Sequence, residues 1–370
     1  MRLLIINYEF PPLGGGAGNA TACLAREWAA SGHDVEILTG GFRNLPQREE
    51  RDGYTVRRLP TPRAQQSQCS VLEMCAFMAA SCAAVLLGPK PDIAIAFFSI
   101  PSGPAAWLLK LLRGVPYIVS LRGGDVPGFD AQNLSRLHAI TNPLTALLWR
   151  NARAVVGNSA GLCQLAQGFM PGLAVPEIPN GVDTARFSPA PRDAGDVCEL
   201  LLVGRLAPQK GVDILLHALA RIPSGWRLRI VGDGPERARL GDLSAALGLA
   251  ARVKFHGWAQ RDDLPALYRS ADVFVFPSYD EGMPNVVLEA LASGLPVVAT
   301  RIAGTEQLVA HGANGALVPP GEPAAFAEAL APLIAAPELR RAMGEISRAF
   351  AVEQFSWARS AAAYERLFTA

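Results

Sequence analysis

Short hydrophobic runs alternate with Ala- and Leu-rich stretches of helical length along almost the whole chain. The runs in the first half are rich in Val, Ile and Leu. They predict β-strands at Leu3–Asn7, Val35–Thr39, Thr55–Leu59, Ile93–Phe97, Tyr117–Ser120, Ala154–Gly157 and Val175–Ile178. Because strands that are apolar on both faces occur in parallel sheets covered by helices, the pattern predicts a doubly wound α/β fold.

The strand pattern starts again after a Pro- and Asp-rich connection from Asn180 to Asp193. The second series predicts strands at Glu199–Val203, Arg227–Val231, Val253–His256, Val273–Phe276, Pro296–Thr300 and Gly315–Val318. We therefore predict two Rossmann-like domains, residues 1–182 and 183–352, that face each other across a cleft. Residues 353–370 carry apolar side chains near helical spacing, which predicts a final helix packed back on the first domain.

Composition and charge exclude several classes of protein. The chain has 370 residues, of which 50% are hydrophobic and 18% charged, with a formal net charge of +1. This balance is typical of a globular protein and offers no basic surface for nucleic acid. The six cysteines form no C-x-x-C pair, which argues against a metal or redox site. Two apolar stretches without charged residues, 74–89 and 93–109, fall short of the ~20 residues of a membrane span. We therefore expect a cytoplasmic protein, with peripheral contact at the inner face of a membrane left open.

The segment "VGRLAPQKG" places two cations between a predicted strand and a helix. Arg205 and Lys210 would then lie at the carboxyl end of that strand, where open α/β sheets bind ligands. Two cations in such a loop suit a diphosphate. The alternative is an ordinary solvated loop.

The segment "FVFPSYDEGMPNVVLEALASGLPVVAT" predicts a strand, a loop and a helix with two glutamates. Glu281 lies in the loop, Pro284 is the predicted first helical residue, and Glu289 follows Glu281 by eight positions. Carboxylates so placed can accept hydrogen bonds from the hydroxyls of a ribose and of a sugar. The amides at the predicted helix N-terminus can bind an anion, and they belong to Gly282, Met283 and Asn285.

A glycine-rich turn, "PPLGGGAGNA", follows the first predicted strand. Gly15 and Gly16 can bring backbone amides close to a phosphate or a sugar oxygen. The dinucleotide fingerprint G-x-G-x-x-G is incomplete, because Asn19 occupies the third glycine position counted from Gly14. A tight turn without a ligand is the alternative.

The segments "VGRLAPQKG", "VGDGPE", "PSYDEGMPNVVLEALASGLPVVAT" and "IPNGVDTARFSP" resemble family 4 glycosyltransferases of the GT-B type. The resemblance extends over nearly the whole chain. It implies transfer of a sugar from a nucleotide diphosphate donor to an acceptor hydroxyl, with retention of the anomeric configuration.

The resemblance also implies roles for individual residues. Cations at the positions of Arg205 and Lys210 bind the donor diphosphate, Glu281 contacts the transferred sugar, and Glu289 holds the ribose. The edge around Gly257 and Trp258 resembles the one that meets the nucleobase. The expected donor-binding residues are Gly15, Gly16, Arg205, Lys210, Trp258, Glu281, Gly282, Met283, Pro284, Asn285, Val286 and Glu289.

One segment departs from the family pattern. Many relatives carry a histidine after the strand that ends at Ser120, whereas this chain reads "SLRGGDVPG". Arg122 can bind a sugar or a phosphate but cannot act as a base at neutral pH. Asp125 can bind a hydroxyl or stabilise a turn. The expected catalytic residues are Glu281, Arg205, Lys210, Arg122 and Asp125.

The donor is expected to bind without a metal or a further cofactor, because the chain contains no D-x-D triplet. The alternatives are a nucleotide-sugar epimerase on the same scaffold and a noncatalytic nucleotide-sugar-binding protein. A dehydrogenase is disfavoured by the incomplete fingerprint.

Arginines between Gly41 and Met78 favour an anionic or lipid-linked acceptor, or else belong to a solvated loop balanced by acids; they are Arg43, Arg48, Arg51, Arg57, Arg58 and Arg63.

Overall fold

The computed structural model describes residues 1–66, 69–129, 131–190, 195 and 197–369. These residues form two compact units, Met1–Asn180 with Trp357–Ala370, and Gly181–Ser356. The corresponding predicted boundaries followed residues 182 and 352. The end of the predicted connection, at residues 191–193, lies outside the described residues. Among the described helices, none combines the length and the apolar character needed to cross a bilayer.

The first unit is built on a seven-stranded sheet with the order β3-β4-β2-β1-β5-β6-β7. Its strands are β1 (Arg2–Ile6), β2 (Asp34–Gly40), β3 (Arg48–Arg51), β4 (Tyr54–Leu59), β5 (Ile93–Phe97), β6 (Tyr117–Ser120) and β7 (Ala154–Val156). The pairings are parallel except that of β3 with β4. Its helices are α1 (Gly16–Ala30), α2 (Val71–Leu87), α3 (Gly103–Arg113), α4 (Ala131–Asn151), α5 (Ala160–Phe169) and the final helix of the chain, α13 (Trp357–Glu365).

The second unit is built on a six-stranded parallel sheet with the order β10-β9-β8-β11-β12-β13. Its strands are β8 (Cys198–Val203), β9 (Trp226–Val231), β10 (Val253–Gly257), β11 (Val273–Phe276), β12 (Val297–Thr300) and β13 (Gly315–Val318). A 3-10 turn spans Pro208–Lys210, and the helices are α6 (Val212–Leu219), α7 (Arg237–Ala246), α8 (Leu264–Arg269), α9 (Asn285–Ala292), α10 (Ala303–Glu306), α11 (Pro323–Ala335) and α12 (Pro337–Gln354).

The structure differs from the predicted strands at two places. Strand β3 was not predicted because its sequence, Arg-Glu-Glu-Arg, lacks the apolar alternation of a strand. It forms at the sheet edge, where Glu49 pairs with the buried Arg58 of β4. The predicted strand Val175–Ile178 makes only an isolated bridge between Glu177 and Gly157, since Pro176 lacks the N–H that a ladder needs.

The final helix returns to the first unit, as the fold prediction required. The indole of Trp28 on α1 meets the ring of Tyr364 edge-on at 5.8 Å and donates a 3.2 Å hydrogen bond to the carbonyl of Ala361. Both aromatic side chains are buried. Burial of such large side chains contributes roughly 1.5–3 kcal/mol each, which fixes α13 against α1.

The strand orders define where ligands can bind in each unit. In the second unit β8 and β11 are neighbours, while the chain proceeds from β8 toward one edge and from β11 toward the other. In the first unit β1 and β5 are related in the same way. Open α/β sheets bind ligands beyond the carboxyl ends of the strands at such a switch point. The loops after β8 and β11 therefore lie where a ligand of the second unit is expected.

Candidate active site

Lys210 and Glu281 meet at the switch point of the second unit. Lys210 ends the 3-10 turn after β8, and Glu281 lies in the loop after β11. Lys210 Nζ forms an ion pair with Glu281 Oε1, and the hydroxyl of Ser278 donates to the same oxygen at 3.2 Å. The Lys210 and Glu281 side chains remain 22% and 19% exposed. Two residues that the sequence assigned to one site are thus in direct contact.

Glycine allows the two loops to approach this closely. Gly211 has a φ of +59°, and a Cβ there would lie 2.3 Å from the carbonyl oxygen of Pro277. A Cβ on Gly304 would lie 2.5 Å from the carbonyl oxygen of Glu281. Backbone hydrogen bonding reinforces the contact, because the amide of Tyr279 donates to the carbonyl of Gln209 at 2.8 Å. A side chain at Gly211 would displace this loop at Pro277, and one at Gly304 would displace it at Glu281.

Arg205 lies on the same edge of the sheet, in the loop that follows β8. Its side chain is exposed, and within the described ranges no side chain is hydrogen-bonded or ion-paired to its guanidinium. The "VGDGPE" loop packs against this segment, since a Cβ on Gly232 would lie 1.9 Å from the carbonyl oxygen of Gly204. Arg205 therefore presents an unneutralised cation on a tightly packed loop.

Glu289 lies on α9 and accepts a hydrogen bond from a buried tyrosine. The hydroxyl of Tyr268, on α8, donates to Glu289 Oε2 at 2.9 Å. Burial raises the pKa of the Glu289 carboxyl to about 7, while the Tyr268 hydroxyl and the charges of Arg261 and Arg186 lower it. The carboxylate is thus fixed in direction and titrates near neutrality.

Helix α9 begins one residue later than predicted. Pro284 is the N-cap, with an extended ψ of 103°, and Asn285 is the first helical residue. The carbonyl of Pro284 accepts hydrogen bonds from the amides of Val287 and Leu288. Gly282 and Met283 precede this N-terminus and Val286 is its second residue. These positions surround the positive end of the helix dipole.

Trp258 follows β10 on the same sheet edge. Its side chain is the largest exposed apolar group among the described residues of this unit, at 67% exposure. Gly257 precedes it with a φ of +80°, and the Gly257 carbonyl accepts a hydrogen bond from the Gly232 amide at 2.8 Å. The turn therefore directs an aromatic face into solvent beside the glycine-rich loops.

Gly15 and Gly16 lie in the first unit, at the start of α1. Gly15 is the N-cap and Gly16 the first helical residue. The Gly15 amide donates to the carboxylate of Glu9 at 3.4 Å, and Glu9 also packs against Gly14. Burial raises the pKa of Glu9, and the Gly15 hydrogen bond lowers it. An acidic side chain that the sequence did not single out therefore occupies the turn.

Asp125 stabilises two loops of the first unit. Its Oδ2 accepts hydrogen bonds from the amide and hydroxyl of Ser99, at 2.7 and 3.1 Å. Its Oδ1 accepts from the amides of Arg122 and Gly123, at 3.0 and 3.1 Å. Burial raises the pKa of Asp125, whereas these hydrogen bonds lower it. Both carboxylate oxygens are thus engaged with the loops after β5 and β6.

Arg122 is hydrogen-bonded within the first unit. Its Nη1 donates to Asn180 Oδ1 at 2.7 Å and its Nη2 to Ser120 Oγ at 2.9 Å. The guanidinium lies over the ring of Phe97, 4.2 Å from its centroid. The Ser120 hydroxyl also shares a 2.6 Å hydrogen bond with the hydroxyl of Tyr364. Arg122 therefore connects the end of β6 to the last residue before the chain leaves the unit.

Sequence reasoning missed the groups that orient the predicted residues. Tyr268 contacts Glu289 from α8, Gly304 leaves room for Glu281 from α10, and Ser278 donates to Glu281 from within the same loop. Tyr268 stands in "ALYRSADVFVF", where a tyrosine at the end of a helix before a buried strand reads as an ordinary core residue. Ser278 is the second residue after β11 and was the easier one to find, because the loops at strand ends in α/β sheets carry ligand-binding side chains.

Two families match the chain on either side of its midpoint. Residues 186–350 match the family described as "Glycosyl transferases group 1". Residues 15–181 match the "Glycosyl transferase 4-like domain".

Within the described residues no group of three His, Cys, Asp or Glu side chains could hold a metal ion.

Curated relatives match over nearly their full length. The chain is 30% identical to the GDP-mannose-dependent alpha-(1-6)-phosphatidylinositol monomannoside mannosyltransferase of Mycolicibacterium smegmatis, over 96% of this chain and 95% of the relative. It is 32% identical to the D-inositol 3-phosphate glycosyltransferase of Acidothermus cellulolyticus, over 88% of this chain and 80% of the relative.

Solved structures share the fold. Sucrose-phosphate synthase from Thermosynechococcus elongatus superposes with a TM-score of 0.87 at 24% identity, covering 100% of this chain and 98% of that chain. Anabaena HepE in complex with UDP and glucose superposes with a TM-score of 0.77 at 22% identity, covering 100% and 99%. At these identities the likeness establishes the α/β architecture with two Rossmann-like units.

Proposed function

The chain belongs to the group 1 glycosyl transferases, and we propose that it transfers a sugar from a nucleoside diphosphate donor to an acceptor hydroxyl with retention of configuration and without a divalent metal. That it is a glycosyltransferase of the GT-B fold follows from the family matches and relatives. The observation that carries the finer proposal is the ion pair of Lys210 with Glu281 at the switch point of the second unit.

The donor diphosphate would bind to Arg205 and Lys210. Each cation contributes roughly 4 kcal/mol of raw Coulomb attraction to a phosphate at ~4 Å and an effective dielectric of 20. A diphosphate competes with Glu281 for Lys210. When it binds, the Glu281 carboxylate is released and can accept hydrogen bonds from the hydroxyls of the transferred sugar. Lys210 thus exchanges one anion, the Glu281 carboxylate, for another, the donor diphosphate.

The nucleoside would occupy the groups on either side of this pair. Glu289 accepts the ribose hydroxyls, and the exposed face of Trp258 stacks on the base. The N-terminus of α9, from Gly282 to Val286, adds its dipole to the cations. The name of the M. smegmatis relative specifies GDP-mannose and the HepE structure contains UDP, which supports a nucleoside diphosphate sugar as the donor class.

In this proposal the anomeric configuration is retained because the departing phosphate oxygen accepts the proton of the acceptor hydroxyl. The bond between the anomeric carbon and the diphosphate oxygen breaks while the acceptor oxygen bonds to the same face of that carbon. The acceptor proton passes to the departing phosphate oxygen, which Arg205 and Lys210 keep beside it. These cations and the helix dipole supply the positive charge that a metal supplies elsewhere, and the chain has no D-x-D triplet.

The acceptor is proposed to be a hydroxyl of a glycan or a lipid-linked glycan. The arginines between Gly41 and Met78 do not carry this proposal, because most pair with acids: Arg48 with Glu50, Arg51 with Asp52, Arg57 with Glu36 and Arg58 with Glu49. Support comes from the M. smegmatis relative, whose name specifies a glycosylated phosphatidylinositol.

The test is transfer in excess EDTA from UDP-, GDP- and ADP-linked hexoses to glycan and lipid-linked acceptors, with proton NMR of the fresh product. The expected product keeps the anomeric configuration of the donor. The Glu281→Gln variant should lose transfer, whereas Glu338→Gln, on an exposed side chain of α12, should not. Isomerisation of the donor in place, binding without turnover, an inverted product, or activity restored only by Mn²⁺ or Mg²⁺ would each contradict the proposal.

A further inference from the structure

Helix α2 lies on the surface of the first unit but has no polar face. Between Met74 and Leu87 it carries no charged residue, and only Phe77, Ser81 and Val85 are buried. Its outer side is apolar from end to end, with Leu72 82% exposed and Leu87 90% exposed. A helix that is hydrophobic all round is normally enclosed by protein or lipid. This one therefore lacks a cover on one side.

Helix α3 extends the apolar surface. Its Arg113 donates hydrogen bonds to the carbonyls of Val85 and Gly88, at 3.0 and 2.8 Å, so the ends of α2 and α3 are adjacent. Leu111 and Leu112, in the last turn of α3, are 61% and 59% exposed. Leu86, which is 42% exposed, and Leu87 end α2 beside them, so two leucines of each helix end point away from the core.

Helix α4 also exposes apolar side chains next to α3. Lys110 of α3 donates to the carbonyl of Asn151 at 2.6 Å, which joins the ends of α3 and α4. On α4 the polar side chains of His138 and Thr145 are buried, whereas Ile140 is 79% exposed. Leu148 and Trp149 are buried on the inner side of the same helix, so α4 carries apolar side chains on its outer side as well as toward the core.

We call the exposed side of α2, α3 and α4 the outer helical layer. Most of the exposed large apolar side chains of the described chain belong to it. Its charges are nearly all positive: Lys110, Arg113, Arg136 and Arg150 stand against Glu73. The carboxylate of Glu73 is occupied by the amides of Ala64 and Ser70. The whole chain is almost neutral, so this excess is local.

We propose that the outer helical layer binds the surface of a bilayer that contains anionic phospholipids. Leucine and isoleucine side chains enter the boundary between headgroups and acyl chains, while the arginines and lysines meet the phosphates. A second copy of the chain fits poorly, because a symmetric contact would bring like cations together. The proposal concerns the first unit and does not depend on the donor residues of the second.

The experiment measures cosedimentation of the full chain with phosphatidylcholine vesicles, with and without phosphatidylglycerol, at low and high salt. Binding is expected with phosphatidylglycerol and should weaken as salt screens the cations. The variant Leu72→Ser/Leu87→Ser/Ile140→Ser should reduce the apparent vesicle affinity about tenfold or more. A second variant, Arg136→Ala/Arg150→Ala, should flatten the salt dependence.

The matched control is Ile346→Ser/Val352→Ser, which changes two comparably exposed apolar residues on α12 of the other unit and should bind vesicles normally. Nucleoside diphosphate titrations on every variant verify folding and report separately on the donor site. Equal vesicle binding by the triple variant and the wild type would overturn the proposal. So would the absence of binding to anionic vesicles, or self-association in solution that the triple substitution abolishes.

Discussion

The hydroxyl of Tyr268 on α8 donates a hydrogen bond of 2.9 Å to the carboxylate of Glu289 on α9. Tyr268 is completely buried and packs edge-on against Phe187 at 5.6 Å. Its hydroxyl therefore has little freedom, and neither has the carboxylate it contacts. A residue that reads as core thus sets the direction and the proton affinity of a proposed ribose ligand.

The affinity for nucleoside diphosphate should rise with pH through neutrality. Burial raises the pKa of Glu289 to about 7, so the carboxyl is largely protonated at about pH 6 and ionised at about pH 8. The ionised form accepts hydrogen bonds from ribose hydroxyls more strongly than the protonated form does. Calorimetric titration of UDP and GDP over this range measures the effect. The Glu289→Gln variant should bind more weakly at high pH and lose this part of the dependence, leaving only the titration of the ligand phosphate.

Tyr268→Phe should weaken nucleoside diphosphate binding about three- to thirtyfold, because it removes a hydrogen bond to a charged group with little change in volume. The same change removes an interaction that lowers the pKa of Glu289, so the midpoint of the pH dependence should move upward. Calorimetry at several pH values measures both.

Tyr117→Phe is the matched control, since its buried hydroxyl donates to the carbonyl of Leu148 at 2.6 Å in the other unit. It should lower stability without altering binding. Identical affinities and midpoints for Tyr268→Phe and the wild type would show that Glu289 is oriented by other groups.

Stability should respond to Glu289 in the opposite sense. Its pKa is raised from an ordinary value of 4.5 to about 7 on folding, so the folded state binds the proton more tightly than the unfolded state. This contribution is complete below about pH 4.5 and is lost as pH rises through about 7. Glu289→Gln should therefore stabilise the protein relative to wild type by about 1–3 kcal/mol at pH 8 and much less at pH 5. Urea denaturation at both pH values measures it, and an equal difference at the two would contradict the assignment.

The proposed ligands could be found from the sequence because they follow local rules. Arg205, Lys210 and Glu281 lie in the loops that follow buried strands, and parallel strands bring their carboxyl ends to one edge. The two-unit fold was predictable for the same reason, since each strand-helix alternation is local. The Lys210–Glu281 ion pair itself depends on Gly211 and Gly304, whose steric role appears only when their neighbours in space are known.

Contacts between distant segments could not be predicted. The hydroxyl of Ser120 meets that of Tyr364, 244 positions away, and Arg122 reaches Asn180. No periodicity or spacing in a single chain encodes such pairs. Strand β3 was missed because edge position and cross-strand ion pairs, and not apolar alternation, stabilise it.

Glu281→Ala should abolish most transfer while sparing nucleoside diphosphate binding. The carboxylate is proposed to contact the transferred sugar, so we expect turnover to fall by about 10² to 10³. Removal of Glu281 also frees Lys210 from its ion pair, so UDP or GDP should bind as tightly as to the wild type or more tightly. Steady-state kinetics and calorimetry separate the two effects.

Lys210→Ala is the counterpart, because it removes the cation and leaves Glu281 unpaired beside the diphosphate. It should weaken binding of the nucleoside diphosphate as well as transfer. If Glu281→Ala weakened diphosphate binding as much as Lys210→Ala does, the two residues would share one role and the proposed exchange of anions would be wrong.

Arg122 is expected to act chiefly as a structural connection. Its guanidinium joins Asn180 to Ser120 and covers Phe97. Arg122→Ala removes two hydrogen bonds and opens space over an aromatic ring, which should cost about 1–3 kcal/mol of unfolding free energy. Arg122→Lys should recover part of this loss, because an ammonium can donate to one partner but cannot reproduce the planar fork.

Thermal melts and steady-state kinetics on the same preparations decide whether Arg122 also assists the reaction. A structural connection lowers the melting temperature and leaves kcat of the folded enzyme within a few fold of wild type. Asn180→Ala should then give a similar melt, and the double variant should be less destabilised than the sum of the two, because both single changes break one interaction. A tenfold or larger fall in kcat for Arg122→Ala with an unchanged donor KM and a normal melt would instead place its charge in the transition state.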